Sequence, residues 1–206
     1  MKKRIAMAMI IMASLMCAKS VLALELSADI VTEVSGISAG ASNKLFFSNN
    51  KMRIENESSD VLRKEITIVR PDMHITWLIL PDRKIYAEQP FPGMVKLVVW
   101  PMSQKDIDDL KNGKTFIGNE LVNGRSTKKY SSEVKIVGEG VRHNFVWIDD
   151  RTGWPIKSGG DYGTDFSLEL KNFKEGVQPA SLFELPDGYT KVSESELRKI
   201  QHIGAE

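Results

Sequence analysis

Apolar and polar side chains alternate along most of this chain with a period of two. Leu24, Leu26, Ala28, Ile30 and Val34 alternate with Glu25, Ser27, Asp29 and Glu33, the pattern of a strand with one buried and one wet face. The small-residue run from Ser35 to Ser42 reads as a loop. Leu45 and Phe47 resume the alternation, Asn49-Asn50 makes a turn, and Met52 and Ile54 alternate with Lys51, Arg53 and Glu55, so an antiparallel hairpin is predicted. Ile66 and Ile68, then Ile75, Trp77 and Ile79, then Ile85 and Ala87 supply three further strands. Pro71-Asp72 and Pro81-Asp82 separate them, because proline presets the backbone angle that a tight turn needs.

The rhythm breaks over 90–113. Pro90, Pro92 and Gly93 end the meander, Met94 to Trp100 is apolar on both faces, and a short helix is predicted from Ser103 to a stop at Asn112-Gly113. This segment is the one place for a lid. Alternation returns in Phe116 to Val122, an Asn123-Gly124 hairpin turn and Thr127 to Val137, with a second turn over 138–140. Val141, His143, Phe145 and Trp147 follow, then Pro155-Ile156-Lys157 and Phe166, Leu168 and Leu170. Ser193 to His202 is expected to be a helix, with Leu197 and Ile200 toward the sheet. The predicted fold is mainly β, a strongly curved antiparallel sheet or half-open barrel of about ten or eleven strands with one or two short helices as a lid.

Residues 1–23 follow another logic. Lys2-Lys3-Arg4, the apolar stretch from Ile5 to Cys17 and the small side chains at Val21-Leu22-Ala23 make a cleaved secretory signal, with 24–206 as a single β domain. Thirteen apolar residues rise only about 20 Å as a helix, short of the roughly 30 Å of hydrocarbon that a membrane anchor must cross. Met16 stands where acylation of Cys17 would want a small residue. Removal of the signal takes away the only cysteine and five of the nine methionines, so stability rests on a packed core rather than on disulfides. No later segment is apolar and long enough to cross a membrane. Of the 28 basic residues, four stand in the first 23, which hold no acid; the remainder carries 24 bases against 27 acids, the wrong balance for a nucleic-acid binder. The periplasm is the expected compartment.

Candidate chemistry is sparse. Gly36-Ile37-Ser38-Ala39-Gly40 matches the nucleophile elbow, yet that motif needs a helix after the serine and here a strand follows. His74, His143 and His202 lie far apart, without a second ligand at metal spacing. Asp108-Asp109 and Asp149-Asp150 are adjacent carboxylates that point apart, the first pair on a solvated helix and the second in a turn that favours aspartate. Nucleotide, phosphate and calcium fingerprints do not occur, so no cofactor and no metal are expected.

Certain strand and turn signatures do resemble a known group. Lys51-Met52-Arg53-Ile54-Glu55, Ile66 to Asp72, Trp77-Leu78-Ile79-Leu80-Pro81 and Lys84-Ile85-Tyr86 in the first half are similar to bacterial envelope domains of the LolA, LolB and RseB lipoprotein-carrier fold. In the second half Glu120 to Gly124, Lys129-Tyr130, Trp147-Ile148-Asp149, Thr152 to Lys157, and Ala180 to Pro186 with Gly188-Tyr189 resemble that group's closing segments. The resemblance spans about residues 26–192, and within the group it is nearest to an uncharacterised family. It implies an open antiparallel barrel whose concave apolar face receives acyl chains. Two departures weigh against active handover of lipoproteins: 90–113 is short for a multi-helix lid, and no arginine stands out as a gate.

By alternation, the candidates for the concave face are Ile30, Phe47, Met52, Ile54, Ile68, Ile75, Trp77, Ile79, Phe145 and Trp147. Monomers rarely expose more than a few hundred Å² of such surface, so an apolar ligand, a lid or a partner must cover it. The leading expectation is a non-enzymatic periplasmic protein that binds a lipid, a lipoprotein acyl chain or another apolar ligand there, in a role such as outer-membrane lipoprotein sorting. The alternatives are an interaction or stress-sensing module docking on a membrane-anchored envelope partner, and a serine hydrolase using Ser38. Cleavage after Ala23 predicts that the exported protein begins at Leu24, and its intact mass checks this.

Overall fold

The computed structural model describes residues 24–35, 37–38, 42–58, 63–91, 104–136, 140–161 and 165–202. The predicted signal, the Met94–Trp100 stretch and most of the 138–140 turn lie outside the described residues. In chain order the strands are β1 (Leu26–Val34), β2 (Ile37–Ser38), β3 (Ser42–Ser48), β4 (Lys51–Ser58), β5 (Arg63–Arg70), β6 (Ile75–Leu80), β7 (Ile85–Pro90), β8 (Thr115–Val122), β9 (Arg125–Ile136), β10 (Gly140–Asp149), β11 (Pro155–Asp161), β12 (Asp165–Glu175) and β13 (Thr190–Lys191). Two of the thirteen, β2 and β13, are two-residue bridges, which leaves eleven strands of working length. Helix α1 is Gln104–Lys111 and α2 is Glu194–His202.

All the strands join one sheet in the order β13-β7-β6-β5-β4-β3-β1-β12-β11-β10-β9-β8, with β2 on β1. Every pairing is antiparallel except that of β13 with β7. The first strand therefore lies in the middle and joins two meanders. The turns follow their residues: Asn49-Asn50 and Asn123-Gly124 have positive φ at both positions, as a tight hairpin requires. Pro71–Met73 and Pro81–Arg83 are 3-10 turns, each ended by a left-handed residue, His74 or Lys84, whose N–H bonds the proline carbonyl. Helix α2 is capped by Ser193, whose hydroxyl accepts the Glu196 N–H at 3.2 Å.

The sheet is curved and open. β3 and β11 stand three places apart, about 14 Å in a flat sheet at ~4.8 Å per strand. Yet the rings of Phe47 on β3 and Trp154 just before β11 lie 4.5 Å apart. The sheet thus curls toward the face that carries Phe47, here called inner. Register assigns Leu26, Ala28, Ile30, Leu45, Met52, Ile54 and Val69 to it. Ile107 of α1 joins this cluster, while Leu197 of α2 packs on Leu80 and Ala87 further along.

The outer face of β4–β6 is buried too, beneath a C-terminal strap. Phe183, in the 3-10 turn Ala180–Phe183, packs on Ile66, Ile68, Trp77 and Ile79, with Leu182, Leu185 and Tyr189 around it. Arg53 and Arg70 hold the strap down. The Arg53 guanidinium donates to the Leu182 carbonyl at 3.0 Å and to Glu55 at 2.7 Å. Arg70 donates twice to Asp72, at 2.9 and 2.8 Å, and also to the Phe183 carbonyl and the Glu184 carboxylate at 3.0 and 2.7 Å. Alternation alone puts Arg53 on a wet face. Its burial is a correction, because the strand pattern cannot show a segment that returns from 129 residues away.

Loss of the Arg70 clamp leaves a buried carbonyl unpaired beside a loosened strap, at a cost of about 2–4 kcal/mol. Urea unfolding of Arg70→Ala is expected to show that loss, with Arg70→Lys in between. A loss below about 1 kcal/mol would mean that Phe183 packing holds the strap by itself.

Candidate binding face

Inner-face residues come from strands on both sides of β1. Leu26, Ala28 and Ile30 form its centre, flanked by Leu45 and Phe47, then Met52 and Ile54, and on the other side by Leu170, Ile156 and the partly buried Leu168. Each alternates with a residue on the opposite face, so period two in sequence becomes an apolar wall in space. Trp154 is 1% exposed and closes the wall against Phe47. Further along each strand the same face turns polar: Asn43 pairs with Ile30 and Asn56, and Asn144 pairs with Gly160 and Ser132.

The ten residues expected on one concave face do not share one. Ile30, Phe47, Met52 and Ile54 are inner. Ile68, Ile75, Trp77 and Ile79 are outer and lie beneath the strap, because Met52 pairs with Val69 and thereby turns Ile68 away. Phe145 packs against the inner cluster and Trp147 is one of its buried members, yet Trp147 is opposite Lys129 and Lys157 in register, on the side of Glu169. There Trp147 Nε1 donates to Glu120 at 2.6 Å, and Lys129 and Lys157 lie 4.6 and 5.4 Å from its ring centre. That indole hydrogen bond, reinforced by Lys129, holds the Glu120 carboxyl below the usual range. Trp77 repeats the arrangement with Glu88 and Lys191.

The ten candidates leave out Trp154, Leu45, Arg53, Arg70, Asn43 and Asn144. Leu45 and Trp154 carried a detectable signal, as apolar residues next to a turn or on the same strand face as Phe47. The polar four carried none.

Asp149 is 3% exposed and anchors the curl at the β10–β11 turn. Its Oδ2 accepts from Arg125 at 2.7 Å, and its Oδ1 accepts from the backbone N–H of Arg151 and Thr152 and from the Thr152 hydroxyl. Arg125 bonds Glu175 as well, at 2.9 Å, and Arg151 meets the same carboxylate. Burial pushes the Asp149 carboxyl up, but these bonds together outweigh it and hold the group below its ordinary value.

The other chemical candidates stay apart. Ser38 belongs to the bridge β2 on β1, not to a strand-to-helix turn. His74 caps the Pro71 turn, and His143 stacks on Phe145 with Glu133 at 3.7 Å. Asp109 pairs with Lys105 on the exposed side of α1. Among the described residues no group of three or more His, Cys, Asp or Glu could hold a metal ion, and no helix is long and apolar enough to cross a membrane.

No family model and no curated protein matches the sequence. Solved structures do. An uncharacterized conserved protein from Thermus thermophilus is similar at 13% identity and a TM-score of 0.55, over 84% of this chain and 92% of that one. At that identity the likeness is one of fold. The MucA/MucB complex of Pseudomonas aeruginosa matches at 14% identity and a TM-score of 0.47, over 82% of this chain and 58% of that one. A LolA superfamily protein from Nitrosomonas europaea matches at 10% identity and a TM-score of 0.35, over 79% of this chain and 90% of that one.

Since the Asp149 carboxyl is held low, its contribution to stability is complete above the unfolded value of about 3.9 and is lost as pH falls through the lower folded value. Asp149→Asn is therefore expected to cost about 2 kcal/mol at pH 7, with the gap to the parent closing between about pH 5 and pH 2 in urea unfolding. A gap independent of pH would mean that shape, not charge, is what the turn requires.

Proposed function

We propose that this chain is a non-enzymatic protein of the bacterial periplasm that holds the apolar chain of a lipid, a lipoprotein or a similar ligand on the inner face of its curled sheet. The observation that carries the reading is the continuity of the apolar inner face across β1. The inner face gathers apolar side chains from strands on both flanks of β1. To those clusters the two described helices contribute two buried residues, Ile107 and Leu197. A continuous apolar face of this kind, with two short helices among the described residues beside it, is the type of surface that an acyl chain would line. The secretory signal and the resemblance to lipoprotein carriers agree with a place in the envelope. A role in lipoprotein sorting is the most specific form of this reading.

A second reading has its own observation. Among the described residues the edge strand β8 has no neighbour on its outer side, and it exposes Phe116, Ile117 and Leu121 at 50, 48 and 76%. Such an edge suits strand addition by an extended segment of a membrane-anchored envelope partner.

Native mass spectrometry of protein released gently from the periplasm separates the two. The expected result is a discrete added mass that extraction identifies as an acyl-chain lipid, and its occupancy should fall at least about fivefold in Leu168→Glu, which sets a charge on the wall. An apo mass unchanged by incubation with phospholipid vesicles would overturn the reading and turn attention to β8.

A further inference from the structure

The sheet ends in two edges of opposite character. At β7 the returning chain closes the edge: the Thr190 and Val192 N–H groups bond the Lys84 and Tyr86 carbonyls at 2.9 Å, and Leu197 of α2 packs on Ala87. At β8 no described strand follows. Natural edge strands are commonly guarded by lysine, proline or an inward charge. Thr115–Val122 has no lysine and no proline, and its one charge, Glu120, is taken by the Trp147 indole and the Lys129 ammonium at 2.6 and 2.9 Å. Phe116, half exposed, is held against the Tyr130 ring at 5.7 Å.

The turn at its end sets which main-chain groups of β8 are free. Asn123-Gly124 is a two-residue hairpin turn with positive φ at both positions, so Val122 and Arg125 form the closing bonded pair. Bonded pairs alternate along an antiparallel ladder. Val122 and Glu120 therefore direct their main-chain groups at β9, and Leu121 and Asn119 direct theirs away from it. A second β8 can meet these groups in antiparallel array about a two-fold axis at Asn119, Glu120 or Leu121. An axis at Glu120 sets two carboxylates directly opposite one another, which is unfavourable. An axis at Leu121 runs Asn119 against the turn residue Asn123 and shortens the ladder. An axis at Asn119 does neither. It places Leu121 beside Ile117 of the other copy, and Glu120 opposite Gly118, where a Cβ would meet nothing within 4 Å. The register partner of that glycine is Lys129, so the carboxylate faces toward the other copy's ammonium.

We infer that β8 pairs with β8 of a second copy of this chain about a two-fold axis at Asn119, making one continuous sheet from two chains. This rests on the open edge of the second reading above and names what pairs there. Each copy uses the same patch, and both ends of the doubled sheet are then β7 edges already guarded by β13. Growth therefore stops at two. The bulge at Ile117 marks the end of the shared ladder.

Sedimentation equilibrium of the whole exported protein at micromolar concentration is expected to show a dimer. Asn119→Lys, which sets two ammonium groups face to face at the axis, should raise the dissociation constant at least about tenfold with the circular dichroism spectrum unchanged. Under mild oxidation Asn119→Cys should join two chains, since facing residues of a bonded pair have Cα atoms about 5.5 Å apart. Leu121→Cys should not, its two copies lying about 14 Å apart along the ladder. Both are made with Cys17→Ser, so that each chain has one thiol. A monomeric parent, a dimer that Asn119→Lys leaves intact, or crosslinking at Leu121 as ready as at Asn119 would each overturn the inference. Hydrogen exchange then separates the causes of a monomer. Unprotected Asn119 and Leu121 amides leave the open edge standing for another protein's segment, and protected ones bring down that reading as well. Should Asn119→Lys fail to fold, the parent's mass and the two cysteine variants still decide.

Discussion

One long sheet that is apolar on both faces cannot stand in water uncovered, and each remaining feature of this protein answers that demand. Among the described residues helices supply little of the cover, the two being eight and nine residues long. The sheet covers part of itself by curling until Phe47 meets Trp154 across three strands. The outer face of β4–β6 is closed by the strap, which packs Phe183 on the isoleucines of β5 and β6. Inner and outer cover are thus of different kinds, one built from curvature and the other from a returning chain.

Charged groups hold both devices, and they are placed where partners offset the penalty of their burial. Arg70 directs its donors at Asp72, Glu184 and a backbone carbonyl, so that the guanidinium is not left dry and unpaired. Asp149 does the same for the curl, with three bonds from its own tight turn and one from Arg125 on β9. Against this thoroughness the unpartnered atoms of Asn43, Asn144, Thr76 and Trp154 stand out.

The arrangement also accounts for why a carrier-like reading and a docking reading coexist. Curling encloses an apolar inner face, and stopping short of closure leaves an edge at β8 among the described residues. A closed barrel would have neither edge, and a flat sheet would have no interior. The two proposals concern different parts of one geometric compromise.

The amino-acid sequence by itself determined the elements. Period-two alternation marks the strands, Asn49-Asn50, Asn123-Gly124 and the two Pro-Asp pairs mark the turns, and Ser193 with Leu197 marks the last helix, because each depends on residues within a turn or two of one another. It determined less of the candidate face. Ile30, Phe47, Met52 and Ile54 were legible as a group, whereas Ile68, Ile75, Trp77 and Ile79 show the same alternation and face the other way. Alternation fixes which residues of a strand lie together, but not to which side of the sheet they turn. That is decided by register between strands and by what covers each side, in this case a strap whose contacts with Arg53 and Arg70 span 129 and 113 residues of chain. Arg53 therefore reads as solvated in sequence and is buried in space, and only the tertiary structure could bring Trp154 to Phe47.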